Sequence, residues 1–308
     1  MRPLARIRRG RRGMTLAEVL VALLLFGILA AFVVGVVNSV LNLWQAGERR
    51  GRGDLVFAAA TERLRADVGA AHLGPRGWLT LDTWLAVPEE DGRPAWRLPR
   101  LRFLADGAIA PEADPRGRAS VEVAWIVVPE PAPGTRLCRL LRLVQPESAP
   151  RSFREEGWIT AAARSGAGLV VMDGLSHLEF FAVGNDADDP LAVLQVASYA
   201  PFGFPRAIGM HVERVSSGAR RRPVTLDADL GDAPEPFALR GPPPFAMPEV
   251  MLIEREFVRL AGTWPRFQAS ERGLRGSQPA EHRRGTPVWL PERATCTAPL
   301  PALGRRLP

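Results

Sequence analysis

Few residues in this chain are arranged for chemistry. Four histidines, His72, His177, His211 and His282, are scattered, and no two have metal-ligand spacing. Nothing reads as a nucleophile elbow or a glycine-rich phosphate loop. Two acidic clusters invite comparison with calcium loops: Asn185, Asp186, Asp188 and Asp189, and then Asp227, Asp229 and Asp232. Neither has the bidentate Glu that closes an EF-hand loop. Both read as polar turns, with Asp186, Asp188, Asp227 and Asp229 kept as weak calcium candidates. Cys138 and Cys296 are the only cysteines, which excludes a disulfide-rich scaffold and a four-cysteine zinc site. Outside the cytoplasm they form a candidate disulfide that would pin the C-terminal stretch to the fold. No cofactor and no catalytic constellation are expected, so the chain reads as a non-enzyme. One carboxylate stands out, Glu18, at the start of a long apolar run.

The element that must position Glu18 is that run. Val19–Val37 reads VLVALLLFGILAAFVVGVV, and no charge occurs between Val19 and Gly47. A helix needs about 20 apolar residues to cross a bilayer, so a span over about 17–40 is long enough. A carboxylate in hydrocarbon costs about 2.5–3.5 kcal/mol even on insertion scales, so Glu18 calls for a partner. A secretory signal peptide would have a shorter apolar region, about 7–15 residues, and a small-residue cleavage site after it. Gly27, Ala31 and Gly35 recur every fourth residue, a stripe that lets helices approach closely in lipid.

Charge supports this reading. The chain has 308 residues with 40 basic residues, all Arg, against 33 acids, for a net charge of +7. Six of the arginines lie in 1–13 with no acid, and 263–308 holds eight Arg and three acids, leaving 26 Arg and 30 acids in 14–262. The body is therefore mildly acidic, and a basic groove for nucleic acid is not expected. The leading arginines hold that end in the cytoplasm by the positive-inside rule and place the rest across the membrane.

The string Arg11-Arg12-Gly13-Met14-Thr15-Leu16-Ala17-Glu18-Val19-Leu20 resembles the prepilin cleavage motif of type IV pilins and type II secretion pseudopilins. The resemblance implies a leader, 1–13, removed by a prepilin peptidase between Gly13 and Met14, with Met14 then N-methylated. It departs from the family at Met14, where Phe is commonest. Cleavage would create an α-amino group on Met14, which the Glu18 of a neighbouring subunit could meet on assembly.

Beyond the span, Gly47–Gly53 reads as a break or weak point, and helical spacing resumes over 54–72 with Asp54 as N-cap. Phe57, Thr61, Leu64, Val68 and Ala71 form its apolar stripe, with Glu62, Arg63, Arg65 and Asp67 largely on other faces. The long helix, 14–74, would extend about 90 Å if its 14–72 stretch were continuous. After Gly74-Pro75 come short strand patterns at Trp78–Val87, Leu98–Leu104, Ser120–Val128, Arg136–Val144, Gly168–Met172, Leu175–Val183, Ala192–Tyr199 and Arg206–Val215. Val250–Leu260 suits either a helix or a strand. The fold class is α+β: a pilin-like long N-terminal helix packed on an antiparallel β-sheet head, 75–262. The tail 263–308, rich in Pro and Arg, reads as mostly disordered. The succession of Asp67, Leu175–Phe181 and Leu194–Val215 around Phe204-Pro205-Arg206-Ala207 is similar to the J-type minor pseudopilin.

The resemblance implies a minor pseudopilin in the bacterial inner membrane, single-pass, with a periplasmic head. Its partners would be prepilin peptidase, other pseudopilins and the inner-membrane secretion platform. The alternative within the class is a minor pilin of a type IV pilus, in adhesion, motility or DNA uptake. A membrane-anchored enzyme is the reading from another class.

Overall fold

The computed structural model describes residues 16–87, 95–109, 119–130, 136–184, 193–194, 198–199, 203–215, 223–241 and 247–301. They fall into two units, 1–51 and 52–308, and one helix, α1 (Leu16–Gly69), contributes to both. The expected break at Gly47–Gly53 does not occur, and Asp54 lies inside α1 rather than capping a second helix. Each glycine weakens a helix by about 1 kcal/mol but keeps its N–H. Only proline removes a donor from the ladder, and none lies between Pro3 and Pro75.

In the second unit the strands are β1 (Leu79–Val87), β2 (Trp96–Asp106), β3 (Ser120–Pro129), β4 (Cys138–Pro146), β5 (Leu169–Val183), β6 (Val193–Leu194), β7 (Ser198–Tyr199) and β8 (Ala207–Arg214). They continue with β9 (Val224–Leu226), β10 (Pro236–Arg240), β11 (Val250–Ile253), β12 (Glu256–Thr263), β13 (Arg266–Leu274), β14 (Pro287–Trp289) and β15 (Glu292–Pro299). A short helix, α2 (Glu156–Arg164), follows β4. Nine strands form one antiparallel sheet in the order β15-β8-β5-β4-β3-β2-β1-β7, with β6 added to β5. The architecture is thus α+β: an apolar N-terminal helix followed by a mostly antiparallel β domain.

The centre of the sheet is covered on both faces, so β3, SVEVAWIVVP, is buried at every position except its ends. Alternation along β2 separates the two faces. Leu101 and Phe103 share a face with Trp125 and Val123, on which the 54–69 stretch of α1 lays Leu64 and Val68. Arg100 and Arg102 point to the other face with Ala124 and Ile126, where α2 and the turn before it pack. There Arg102 donates to the Phe153 carbonyl at 2.7 Å, and Asp82 of β1 pairs with both arginines. The helical stripe read from the sequence is buried at Thr61, Leu64, Val68 and Ala71.

The stretch 263–308 is not a disordered tail where it is described. β13 and β14 belong to a closed six-stranded barrel, β10-β13-β12-β11-β14-β9, and β15 returns to the sheet beside β8. Val250–Leu260 proves to be a hairpin of two strands, β11 and β12. The barrel core is small, built on Met251, Ile253, Val258, Phe267 and Val288. Only one face of each strand turns inward, so β13, RFQASERGL, buries just Phe267 and Ala269. Such a sparse, charge-rich pattern resembles a tail in sequence. The barrel is threaded into a hairpin: β8 and β15 pair along their whole lengths, from Ala207↔Pro299 to Arg214↔Glu292, and residues 215–291 connect them.

Candidate functional site

The residues that carry the processing reading lie at the start of the chain. Gly13 and Met14 fall outside the described residues, and Glu18 lies near the start of α1. The segment Val19–Val37 has a mean hydropathy of 3.0 and none of it is buried. Among the described residues one helix is therefore long and apolar enough to cross a membrane, as a single-pass anchor of pilins does. Gly27, Ala31 and Gly35 lie on this bare stretch. A Cβ added at Gly27 or Gly35 would meet no atom within 4 Å, so the fold of this chain does not itself require glycine there.

The second unit anchors its own part of α1 differently. Asp67, expected on an outer face, is fully buried. It follows Leu64 by three residues, one helical turn, and so shares its face. Arg142 of β4 donates to it from Nε at 2.7 Å and from Nη2 at 3.0 Å, and the Trp125 indole N–H donates at 2.9 Å. Spacing alone offered a faint signal for this site: an acid on an apolar stripe of a helix.

Two further buried carboxylates were not picked out from the sequence. Glu213 of β8 takes two bonds of 2.6 Å from Arg275 and one of 2.8 Å from Arg293. Arg275 follows β13, so this contact fastens the barrel to the sheet. Burial alone would raise the Glu213 carboxyl, but the two arginines outweigh it and hold it below the usual carboxylate range. Glu256 of β12 accepts from Arg272 at 2.6 and 2.8 Å, and its Oε2 lies 2.8 Å from His282 Nε2. Burial would raise it as well, yet the bonds from Arg272 and His282 hold it down to about 2. Among the described residues, the two non-glycine residues with positive φ, Glu254 (51°) and Arg275 (55°), serve these clusters. Glu254 faces the other His282 ring nitrogen at 3.1 Å.

Among the other sequence candidates, Asp186 and Asp188 lie outside the described residues. Asp229 accepts from the Arg284 backbone N–H at 2.6 Å, and Asp227 lies 3.9 Å from the Arg284 guanidinium, so these acids are engaged with the loop after His282. Among the described residues, no group of three or more His, Cys, Asp or Glu gathers to hold a metal.

The candidate disulfide is corrected by the topology. Both thiols are free and buried. Cys138 on β4 pairs with Leu175 of β5, whereas Cys296 on β15 pairs with Met210 of β8. Three strand spacings separate β15 from β4, about 14 Å, against a Cα separation below about 7 Å in a disulfide. Burial pushes both thiols up, which leaves them unreactive.

Compared with known families, residues 8–34 match the prokaryotic N-terminal methylation motif. Neither a curated protein nor a solved structure matches the chain. The motif supports the type IV pilin-like or pseudopilin class, with processing by a prepilin peptidase and assembly with other pilins.

Proposed function

We propose that the chain is a non-enzymatic minor pseudopilin of a type II secretion system. A prepilin peptidase cuts between Gly13 and Met14, Met14 is methylated, and the apolar helix holds the protein in the inner membrane with its head in the periplasm. Assembly draws the helix out of lipid into a short fibre. There Glu18 of one subunit meets the Met14 amine of another, and Gly27, Ala31 and Gly35 let neighbouring helices approach. The fibre helps drive folded proteins outward. The observation that carries this reading is the overlap of the methylation motif, 8–34, with the wholly exposed apolar stretch Val19–Val37.

The secretion role rests further on the likeness of the head pattern to J-type minor pseudopilins. The barrel adds bulk to the head, which suits a low-copy or tip position better than a crowded shaft. A type IV minor pilin shares every N-terminal feature. A neighbouring gene for a retraction ATPase, in place of a secretion ATPase and secretin, would favour that alternative.

The decisive experiment is mass analysis of the N-terminus from cells with and without a prepilin peptidase. The expected product starts at methylated Met14. Finding Arg2–Gly13 still attached in peptidase-positive cells would sink the pilin reading.

A further inference from the structure

The second unit holds a cavity of about 570 Å³, within the range of about 300–1,000 Å³ typical of small-molecule sites. It lies between the sheet and the barrel. Its walls include Leu81, Leu98, Val127, Leu178 and Phe180 from the sheet and Phe257 from the barrel. Most of the surface is apolar, but the charged groups are unbalanced: Arg97, Arg100, Arg136 and Arg275 line it against only Asp82 and Glu179.

Three of these charges are accounted for. Arg100 is paired with Asp82 at 2.6 Å and Arg275 with Glu213 at 2.6 Å. Arg136 is different. It is only 8% exposed, its Nη1 is sealed from solvent without a hydrogen-bond partner, and its Nη2 makes a single long bond, 3.5 Å, to the Gly276 carbonyl. Its guanidinium stacks over the Trp96 ring at 5.2 Å. Trp96 and Gly276 both line the cavity, so the guanidinium lies at its wall.

The energetics do not close among the described residues. Desolvating an ion is costly. Stacking on an aromatic ring returns only part of that cost, and a long bond to a neutral carbonyl adds little. No carboxylate among the described residues pairs with Arg136. A buried cation in the wall of a cavity, with no counter-ion among the described residues, is stabilised best by an anion brought in from outside. The planar guanidinium suits a carboxylate, and the lining suits a hydrocarbon body.

We propose that this cavity binds a small monocarboxylate with an apolar body, its carboxylate paired with Arg136. The site does not depend on how the N-terminus is processed.

The test uses the full chain in detergent micelles, titrated calorimetrically with hydrocinnamate, hydrocinnamyl alcohol and inorganic phosphate in turn. Hydrocinnamate should bind at least about tenfold more tightly than the alcohol, because only the acid meets the charge, and phosphate alone should not match it. Arg136→Met should abolish that preference while its melting temperature stays level or rises, since an unpaired buried charge has been removed. Equal binding of acid and alcohol, no measurable binding of the acid, or phosphate binding as tightly as the acid would each overturn the proposal. A clear fall in the melting temperature of Arg136→Met would also overturn it, because it would mean that the chain already supplies a partner for Arg136. The comparison of acid with alcohol on the natural sequence needs no variant.

Discussion

Of the five acids on helix α1, Asp67 and Glu18 lie on stretches of opposite kind. Asp67 is closed off by Arg142, Trp125 and the sheet, all from the same unit. Glu18 stands beside a stretch, Val19–Val37, that this chain leaves entirely bare. Around Asp67 the helix is amphipathic in the ordinary way, with Leu64 and Val68 buried. Around Glu18 it is apolar on every side, the pattern of a segment whose solvent is lipid or other helices. One helix therefore carries two stretches of different kind, one amphipathic and packed on the sheet, the other apolar on every side.

That contrast can be broken by substitution. Asp67→Ala leaves Arg142 buried without its counter-ion and should destabilise the second unit by about 3–5 kcal/mol. Glu18→Ala should leave the same unit's unfolding midpoint unchanged while lowering incorporation into fibres. Urea unfolding followed by tryptophan fluorescence, with fibre fractionation alongside, reads both effects. Equal loss of stability in the two variants would erase the distinction. Next in size, Leu64→Ala should cost about 2–5 kcal/mol through the cavity it opens. Leu24→Ala, on the exposed stretch, should leave the midpoint where it was.

Acid should separate the two stretches more gradually. Burial, with Arg275 close by, holds His177 down to about 4, below its ordinary 6.5. The unfolded chain then binds the proton first, so stability is full above about 6.5 and declines as pH falls towards about 4. Glu256, held down to about 2 from 4.5, adds a second decline below about 4.5. Circular dichroism in micelles should show the β signal lost while the helical signal of the apolar stretch persists. His177→Gln should flatten the upper limb of the titration, and an unaltered profile would remove His177 as its cause. The smallest effect belongs to Gly27→Val. A Cβ at this position meets no atom within 4 Å among the described residues, so the midpoint should hold and only fibre incorporation should fall.

The legibility of the sequence follows the same divide. The apolar stretch announced itself because every residue of a span must satisfy lipid, and strands β1 to β5 and β8 were readable from dense apolar runs. The barrel was not. Its strands each give one narrow face to a small core, and Glu256, Arg272 and His282 fill interior positions that a sequence reading assigns to solvent. Phe267 and Ala269 alone could not mark β13 as a strand. Asp67 was misplaced for a related reason: its partner Arg142 is 75 residues away, and only the folded sheet brings them together. The two cysteines looked like a pair because a sequence does not reveal how many strands lie between them.

The position of the barrel between β8 and β15 bears on how such a head is built. Its two ends, near Val215 and Pro291, leave from adjoining strands about 5 Å apart. That gap is one a tight turn can also close. The barrel is therefore an insertion between two neighbouring strands, and the pairings of the sheet are all made outside it. The sheet then acts as a socket, and the barrel is a cassette plugged into one of its hairpins.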